Sequence, residues 1–271
     1  MQEFAVACGS ATIRGTETGS GPPVVFVHAG VADRRSWFDV MKLVTDAGMR
    51  CVAYDQRGYG DTESVDEPFS HRADLAAVLD DRGVESCVLI GASRGGQIAL
   101  DFMLASPSRV VALMLVGSAP GDAPFPPPDD AVTELSHAVE AAEEDGDLSK
   151  VNELEARIWL DGPLAPEARV GSPLRELFLD MNGRALAATP AGEAAPFAGT
   201  WDELPSLQLP VSIVVGNLDL PGLVAAAKAT AERIPEAEFR ILPDTAHLPM
   251  LEHPSVIAQE VSALVARVSN S

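Results

Sequence analysis

The stretch Gly91-Ala92-Ser93-Arg94-Gly95-Gly96 constrains this chain more than any other. The apolar run Cys87-Val88-Leu89-Ile90 leads into it, and an amphipathic run over residues 97–104 leads out. A strand, a sharp turn and a helix with a serine at the apex is the layout of a nucleophile elbow. Such a turn strains the serine backbone and lifts its Oγ clear of the sheet, so the neighbouring residues must be small. Gly91, Ala92, Gly95 and Gly96 meet that demand. A five-residue G-x-S-x-G match also suits a tightly packed turn that does no chemistry, so its meaning depends on what surrounds it.

What surrounds it alternates. Two short segments over residues 4–18, separated by Gly9-Ser10, read as a hairpin at a sheet edge. The continuous apolar run Val24-Val25-Phe26-Val27 suits a strand buried on both faces of a parallel sheet. Helical patterns are expected over 36–47, with Ser36 as N-cap, and over 70–82. Strands are expected over 50–54 and 110–116. The pattern then breaks. Residues 119–129 are rich in Pro, Gly and Asp, and helical segments follow near 132–144, 148–160 and 173–186 with no strand-like run. Strands resume over 211–215 and 238–242, with helices over 223–233 and 254–268. This predicts an α/β fold with a doubly wound, mostly parallel, eight-stranded sheet. Residues 1–120 and 205–271 form its core domain, and 121–204 a helical cap inserted over it.

A chain of 271 residues that is 46% apolar supports a large core without metal or disulfide staples. Three cysteines, Cys8, Cys51 and Cys87, lie on apolar segments without metal-ligand spacing, and their odd number points to a reducing compartment. The first residues show no cationic, then apolar, leader and no run reaches membrane-spanning length, so a cytoplasmic location is expected. A net charge of −21 repels phosphate backbones and anionic membranes, which argues against nucleic-acid and membrane partners.

Ligand sites in such sheets form beyond the carboxyl ends of the strands. Four loops at that edge carry candidate chemistry: His28-Ala29-Gly30-Val31, the Ser93 turn, Gly216-Asn217-Leu218-Asp219, and Asp244-Thr245-Ala246-His247. Acyl transfer by a serine needs a nucleophile, a base, a carboxylate to orient the base and two donors for the oxyanion.

Taken with Asp55-Gln56-Arg57-Gly58-Tyr59-Gly60 and with Ala246-His247 running on to His253-Pro254, these motifs resemble those of the capped α/β-hydrolase superfamily in order and spacing. The resemblance covers the chain outside the cap. It implies Ser93 as nucleophile, His247 as base and Asp219 as the orienting acid, with Asp122 as the rival for the last role. It implies an oxyanion hole from the backbone N–H groups of Gly30 and Arg94, with Val31 an alternative to Gly30. His28 supports that loop, and Ala29 departs from the glycine usual after it. Arg57 is expected to pair locally. His71 and His137, on helices, read as solvated.

The implied reaction is hydrolysis of a small-molecule ester or lactone through an acyl-enzyme, without metal or organic cofactor. Serine in place of aspartate argues against an epoxide hydrolase or dehalogenase. A C–C bond hydrolase of a diketo acid, a perhydrolase or a small-molecule receptor of the same fold are the alternatives. The first of these needs a cation for the substrate carboxylate, for which Arg94, Arg157 and Arg184 are candidates. Val31, Trp159, Phe178 and Met181 are the candidate substrate-binding residues, and packing of the cap onto the sheet is the competing role for each.

Overall fold

Side chains alternate across each strand, and that alternation builds two cores. In a computed structural model that describes residues 1–197 and 200–269, the chain opens with the hairpin β1 (Gln2–Cys8) and β2 (Ala11–Thr18). There follow β3 (Pro23–Val27), α1 (Phe38–Asp46), β4 (Arg50–Tyr54), α2 (His71–Asp81), β5 (Cys87–Ala92), α3 (Arg94–Ala105) and β6 (Val110–Val116). After α4 (Asp130–Glu144), α5 (Leu148–Glu155) and α6 (Leu174–Leu186) come β7 (Val211–Gly216), α7 (Pro221–Arg233), β8 (Glu238–Leu242), α8 (Pro249–Glu252) and α9 (Pro254–Ser269). The eight strands lie in the order β1-β2-β4-β3-β5-β6-β7-β8. The β1–β2 and β2–β4 pairings are antiparallel, and all others are parallel.

Val24, Phe26, Ile90, Met114 and Val116 face a layer built by α1 and α9, whereas Val25, Val27, Leu89, Leu113 and Leu115 face the layer of α2, α3 and α7. The central strands are apolar throughout because both of their faces are covered. The edge hairpin is half exposed, as its polar alternation requires.

Between β6 and β7 stand the three helices α4 to α6, and no strand forms there among the described residues. Residues 198–199 of that span and the last two of the chain lie outside the described residues. Helix α5 ends at Glu155, and the chain continues as a π-helical turn, Ala156–Asp161. Arg184 of α6 reaches the Asp61 carboxylate at 2.6 Å and the Gly60 carbonyl. Farther on, Ala195 N–H donates to Phe69 O. The inserted helices are thus tied to the loop after β4.

Two local expectations change. The helix near residue 36 is capped by the Asp33 carboxylate, which accepts from Arg35 N–H. Ser36 is buried inside that turn, and its hydroxyl donates to Asp33 O. His71 is not solvated: it is buried between Phe69, edge-on at 5.0 Å, and Phe197, stacked at 6.0 Å.

Candidate active site

Ser93 joins β5 to α3 at φ 51° and ψ −121°, a left-handed conformation that costs a non-glycine residue about 1–3 kcal/mol. Its surroundings hold it there. Ser93 N–H donates to Val116 O at 2.9 Å, and the Ser118 hydroxyl donates to Ser93 O at 2.7 Å. The first turn of α3 passes so close to β3 that a Cβ on Gly95 would overlap the Val27 and His28 carbonyls. The small residues of the motif are therefore a packing requirement of the turn.

His247 lies on the loop between β8 and α8. Its Nδ1 stands 2.8 Å from Asp219 Oδ2 and 3.0 Å from Oδ1, both side chains being almost completely buried. Asp219 Oδ1 also accepts from Leu220 N–H at 2.7 Å. A carboxylate on Nδ1 sets the imidazole tautomer with its proton on that nitrogen and leaves Nε2 as the acceptor. Asp122, the rival acid, is spent elsewhere: its carboxylate accepts from Trp201 N–H at 3.1 Å and from the Thr200 hydroxyl.

Beneath the His247–Asp219 pair lies Gly117, at the end of β6 and at φ 52°. A Cβ there would stand 3.2 Å from His247 Nδ1 and 3.3 Å from Asp219 Oδ2. Nothing in the sequence marks this residue, because a glycine after a strand is common.

The two backbone N–H groups expected to serve an oxyanion belong to Arg94 and Gly30. Arg94 opens α3, where an N–H has no acceptor within its own helix. The backbone of Gly30 approaches it, with the Arg94 Cβ and guanidinium within 4 Å of where a Gly30 Cβ would sit. Among the described residues neither N–H has an acceptor. His28 fixes the loop that carries Gly30. It is fully buried, with Nδ1 at 2.8 Å from Ala29 O and Nε2 accepting from Gln56 N–H at 3.0 Å. Burial pushes this imidazole down to about 4, so it stays neutral. Ala29 stands in place of the expected glycine, with its side chain buried in the core and its carbonyl accepting from Ala32 N–H.

The Arg94 side chain turns away. Its guanidinium lies 4.5 Å from the Tyr59 ring centre, and Nε donates to Gln56 Oε1 at 3.2 Å. Arg57 pairs in bidentate fashion with Asp74 of α2, at 2.9 Å for each contact, which makes it a structural clamp.

A cavity of about 640 Å³ has Ser93 and His247 on one wall. The rest is mostly apolar, including Phe125, Val132, Ile158, Trp159, Leu220 and Leu223. That size and lining suit a small-molecule site. Trp159 also packs its ring against the imidazole of His247, centre to centre at 4.6 Å, and its carbonyl accepts from His247 N–H. The π-helical turn thus makes part of the wall and braces the histidine.

Three of the four candidate wall residues are placed differently. Phe178 and Met181 are completely buried in the core that joins α6 to the sheet, and Val31 packs against that same core. None of the three lines the cavity; only Trp159 does. An apolar face on a helix announces that something covers it, not whether that cover is a ligand or the protein itself.

Arg169 locks this region. Its guanidinium donates to the carbonyls of Leu160, Asp161 and Asp244 at 2.7–3.0 Å and pairs with Glu252 at 2.6 Å. Glu252 in turn accepts from Ala246 N–H. The inserted segment and the His247 loop are therefore one hydrogen-bonded unit. The three cysteines are free and buried, and burial pushes their thiols up to about 11 or 12.

Among the described residues, no group of His, Cys, Asp and Glu has the arrangement of a metal site, and no helix is long and apolar enough to cross a membrane.

The profile of the family described as "Alpha/beta hydrolase family" matches residues 24–260. This chain belongs to the alpha/beta hydrolase family. Among curated relatives, this chain is 37% identical over 101 residues to "Epoxide hydrolase 2" of Siraitia grosvenorii, a match to 35% of this chain and 32% of that protein. The chain thus spans about a third of the length of that relative. Solved structures align over nearly the whole chain. An esterase from Thermogutta terrifontis superposes with a TM-score of 0.75 at 24% identity, covering 99% of each chain. Est816, described as an N-acyl homoserine lactone degrading enzyme, superposes with a TM-score of 0.74 at 24% identity, covering 96% of this chain and 99% of that one. At such identities the likeness is one of fold.

Proposed function

We propose that this alpha/beta hydrolase cleaves a carboxylic ester or lactone through an acyl-enzyme on Ser93. The observation that carries the reading is a strained Ser93 on the wall of an apolar cavity it shares with His247, whose Nδ1 is held by Asp219. Ser93 Oγ attacks the substrate carbonyl while His247 Nε2 takes its proton, and Asp219 stabilises the imidazolium that forms. The tetrahedral oxyanion accepts hydrogen bonds from Gly30 and Arg94 N–H, an interaction worth about 2.7–4 kcal/mol of barrier per donor. His247 returns its proton to the leaving alcohol. It then deprotonates a water that attacks the acyl carbon, releasing the acid and restoring Ser93.

Epoxide hydrolases among the relatives do not carry over to this chain, because the residue at the turn is serine. The inserted helices act as the lid: Phe125 and Val132 come from α4 and the segment before it, and Trp159 from the π-helical turn. The acyl group that fits beneath them sets the specificity. An esterase and a lactone-degrading enzyme share this fold, so the fold is compatible with both classes.

A fluorophosphonate probe tests the assignment. The wild type is expected to label stoichiometrically and to hydrolyse p-nitrophenyl hexanoate, and Ser93→Ala to do neither while keeping its melting temperature. Equal labelling of the two proteins, or none of the wild type, would refute the nucleophile.

A further inference from the structure

The cavity beside Ser93 is as informative in its charges as in its size. Among the described residues that line it are one acidic residue, Asp129, and no lysine or arginine. Asp129 precedes α4 as its N-cap residue but makes no side-chain capping hydrogen bond. Its backbone carbonyl, not its carboxylate, accepts from Thr133. Among the described residues the carboxylate has no ion-pair partner, and it stands exposed at the cavity.

None of the three arginines that could meet a substrate carboxylate lines the cavity. Arg94 lies on Tyr59 and donates to Gln56, and its Nη2 is buried without an acceptor and forms no part of the cavity wall. Arg157 caps the carbonyls of Gly162, Pro163 and Ala165. Arg184 pairs with Asp61. Neither of the latter two lines the cavity. A carboxylate entering this apolar space would give up its hydration and find no cation, and it would pass a like charge on the way.

We propose that this site selects its substrates by charge: it takes esters and lactones whose acyl part is neutral or cationic, it rejects those bearing a carboxylate, and Asp129 is the wall residue that sharpens the choice. The inference rests on the Ser93 hydrolase reading and adds the substrate class to it. It also removes the diketo-acid C–C hydrolase from the candidates, since that chemistry presents a carboxylate to the site.

The two contributions separate by substitution. Loss of hydration in the apolar cavity acts on any carboxylate whatever stands at residue 129, and repulsion by Asp129 disappears when its charge does. The experiment compares kcat/KM for three p-nitrophenyl esters of matched chain length: the hexanoate, the mono-adipate, which carries a terminal carboxylate, and the ω-trimethylammonium analogue. Wild type, Asp129→Asn and Asp129→Lys are assayed at low and high salt. The wild type is expected to prefer the hexanoate over the mono-adipate by about 100-fold or more. Asp129→Asn is expected to narrow that gap about three- to tenfold through faster turnover of the mono-adipate, and Asp129→Lys to narrow it further. High salt narrows the gap for the wild type and not for Asp129→Asn.

Equal turnover of the hexanoate and the mono-adipate by the wild type would overturn charge selection and leave the hydrolase reading standing. An unchanged gap in both variants would overturn the role of Asp129. If the wild type neither labels with fluorophosphonate nor cleaves any of the three esters, the Ser93 reading and this inference fall together.

Discussion

Asp219→Asn puts the sharpest demand on the geometry. The carboxylate serves two donors at once. Oδ1 accepts from Leu220 N–H at 2.7 Å, and Oδ2 faces His247 Nδ1 at 2.8 Å. An asparagine is nearly isosteric, so the buried site keeps its shape. The Leu220 N–H still requires an acceptor, which fixes the amide oxygen at the Oδ1 position. The amide nitrogen then occupies the Oδ2 position and points its hydrogens at Nδ1. Two donors cannot share that line, so the imidazole moves its proton to Nε2, the nitrogen that must accept from Ser93. The histidine is in place and in the wrong tautomer. The expected loss in kcat is about 10⁴-fold, or about 5 kcal/mol at 1.36 kcal/mol per decade. KM should change little, because Asp219 does not line the cavity. The assay is hydrolysis of p-nitrophenyl hexanoate, with thermal melts as the control for folding. Asp122→Asn is the comparison, and since among the described residues Asp122 holds Trp201 and Thr200 its effect should be under about threefold. Retention of kcat within tenfold by Asp219→Asn, together with collapse in Asp122→Asn, would refute the argument.

Gly117→Ala should lower kcat about 10- to 100-fold, because its methyl group would press on both His247 and Asp219, and should lower stability by about 1–2 kcal/mol through the left-handed backbone; wild-type kinetics in the variant would show that the contact is harmless. Arg169→Met removes the clamp between the π-helical turn and the His247 loop, so stability should fall by about 2–4 kcal/mol and amide exchange over residues 244–252 should quicken, and unchanged exchange would count against the clamp. His28 bears on acid stability. The folded imidazole stays neutral down to about 4, whereas the unfolded chain takes up a proton near 6.5, so stability is full above that pH and declines as pH falls towards 4, by up to about 3 kcal/mol. Urea midpoints across this window, with the His28 ring followed by NMR, provide the check, and a His28 ring titrating near 6.5 would contradict it.

Much of the fold is legible in the residues alone. The apolar runs at Val24–Val27 and around the Ser93 turn can only be strands covered on both faces, and the sheet contains them in that role. The Ser93 turn is legible because a strained apex between a strand and a helix excludes large neighbours. The loops bearing Asp219 and His247 are legible through their resemblance to the family's motifs, and the folded chain brings the two side chains into contact. Phe178 and Met181 show where such reading stops. Their helical spacing is that of an apolar face, and the same spacing serves a cavity wall or a core. His71 shows it again: a histidine at a helix start reads as solvated, whereas in the fold Phe69 and the distant Phe197 pack against its ring.

Local chemistry, then, settled what can be read over a few residues: strand against helix, the tight serine turn, the buried character of the sheet, and the identity of the groups at its edge. Tertiary structure alone decided what depends on residues far apart in the chain. It chose Asp219 over Asp122 as the partner of His247, set Gly117 beneath that pair and Trp159 against the imidazole, and emptied the cavity wall of cations while leaving Asp129 on it. The physical reason is range. Backbone strain and side-chain alternation act between neighbours, whereas the charge and shape of a cavity are summed over segments that meet only when the chain has folded.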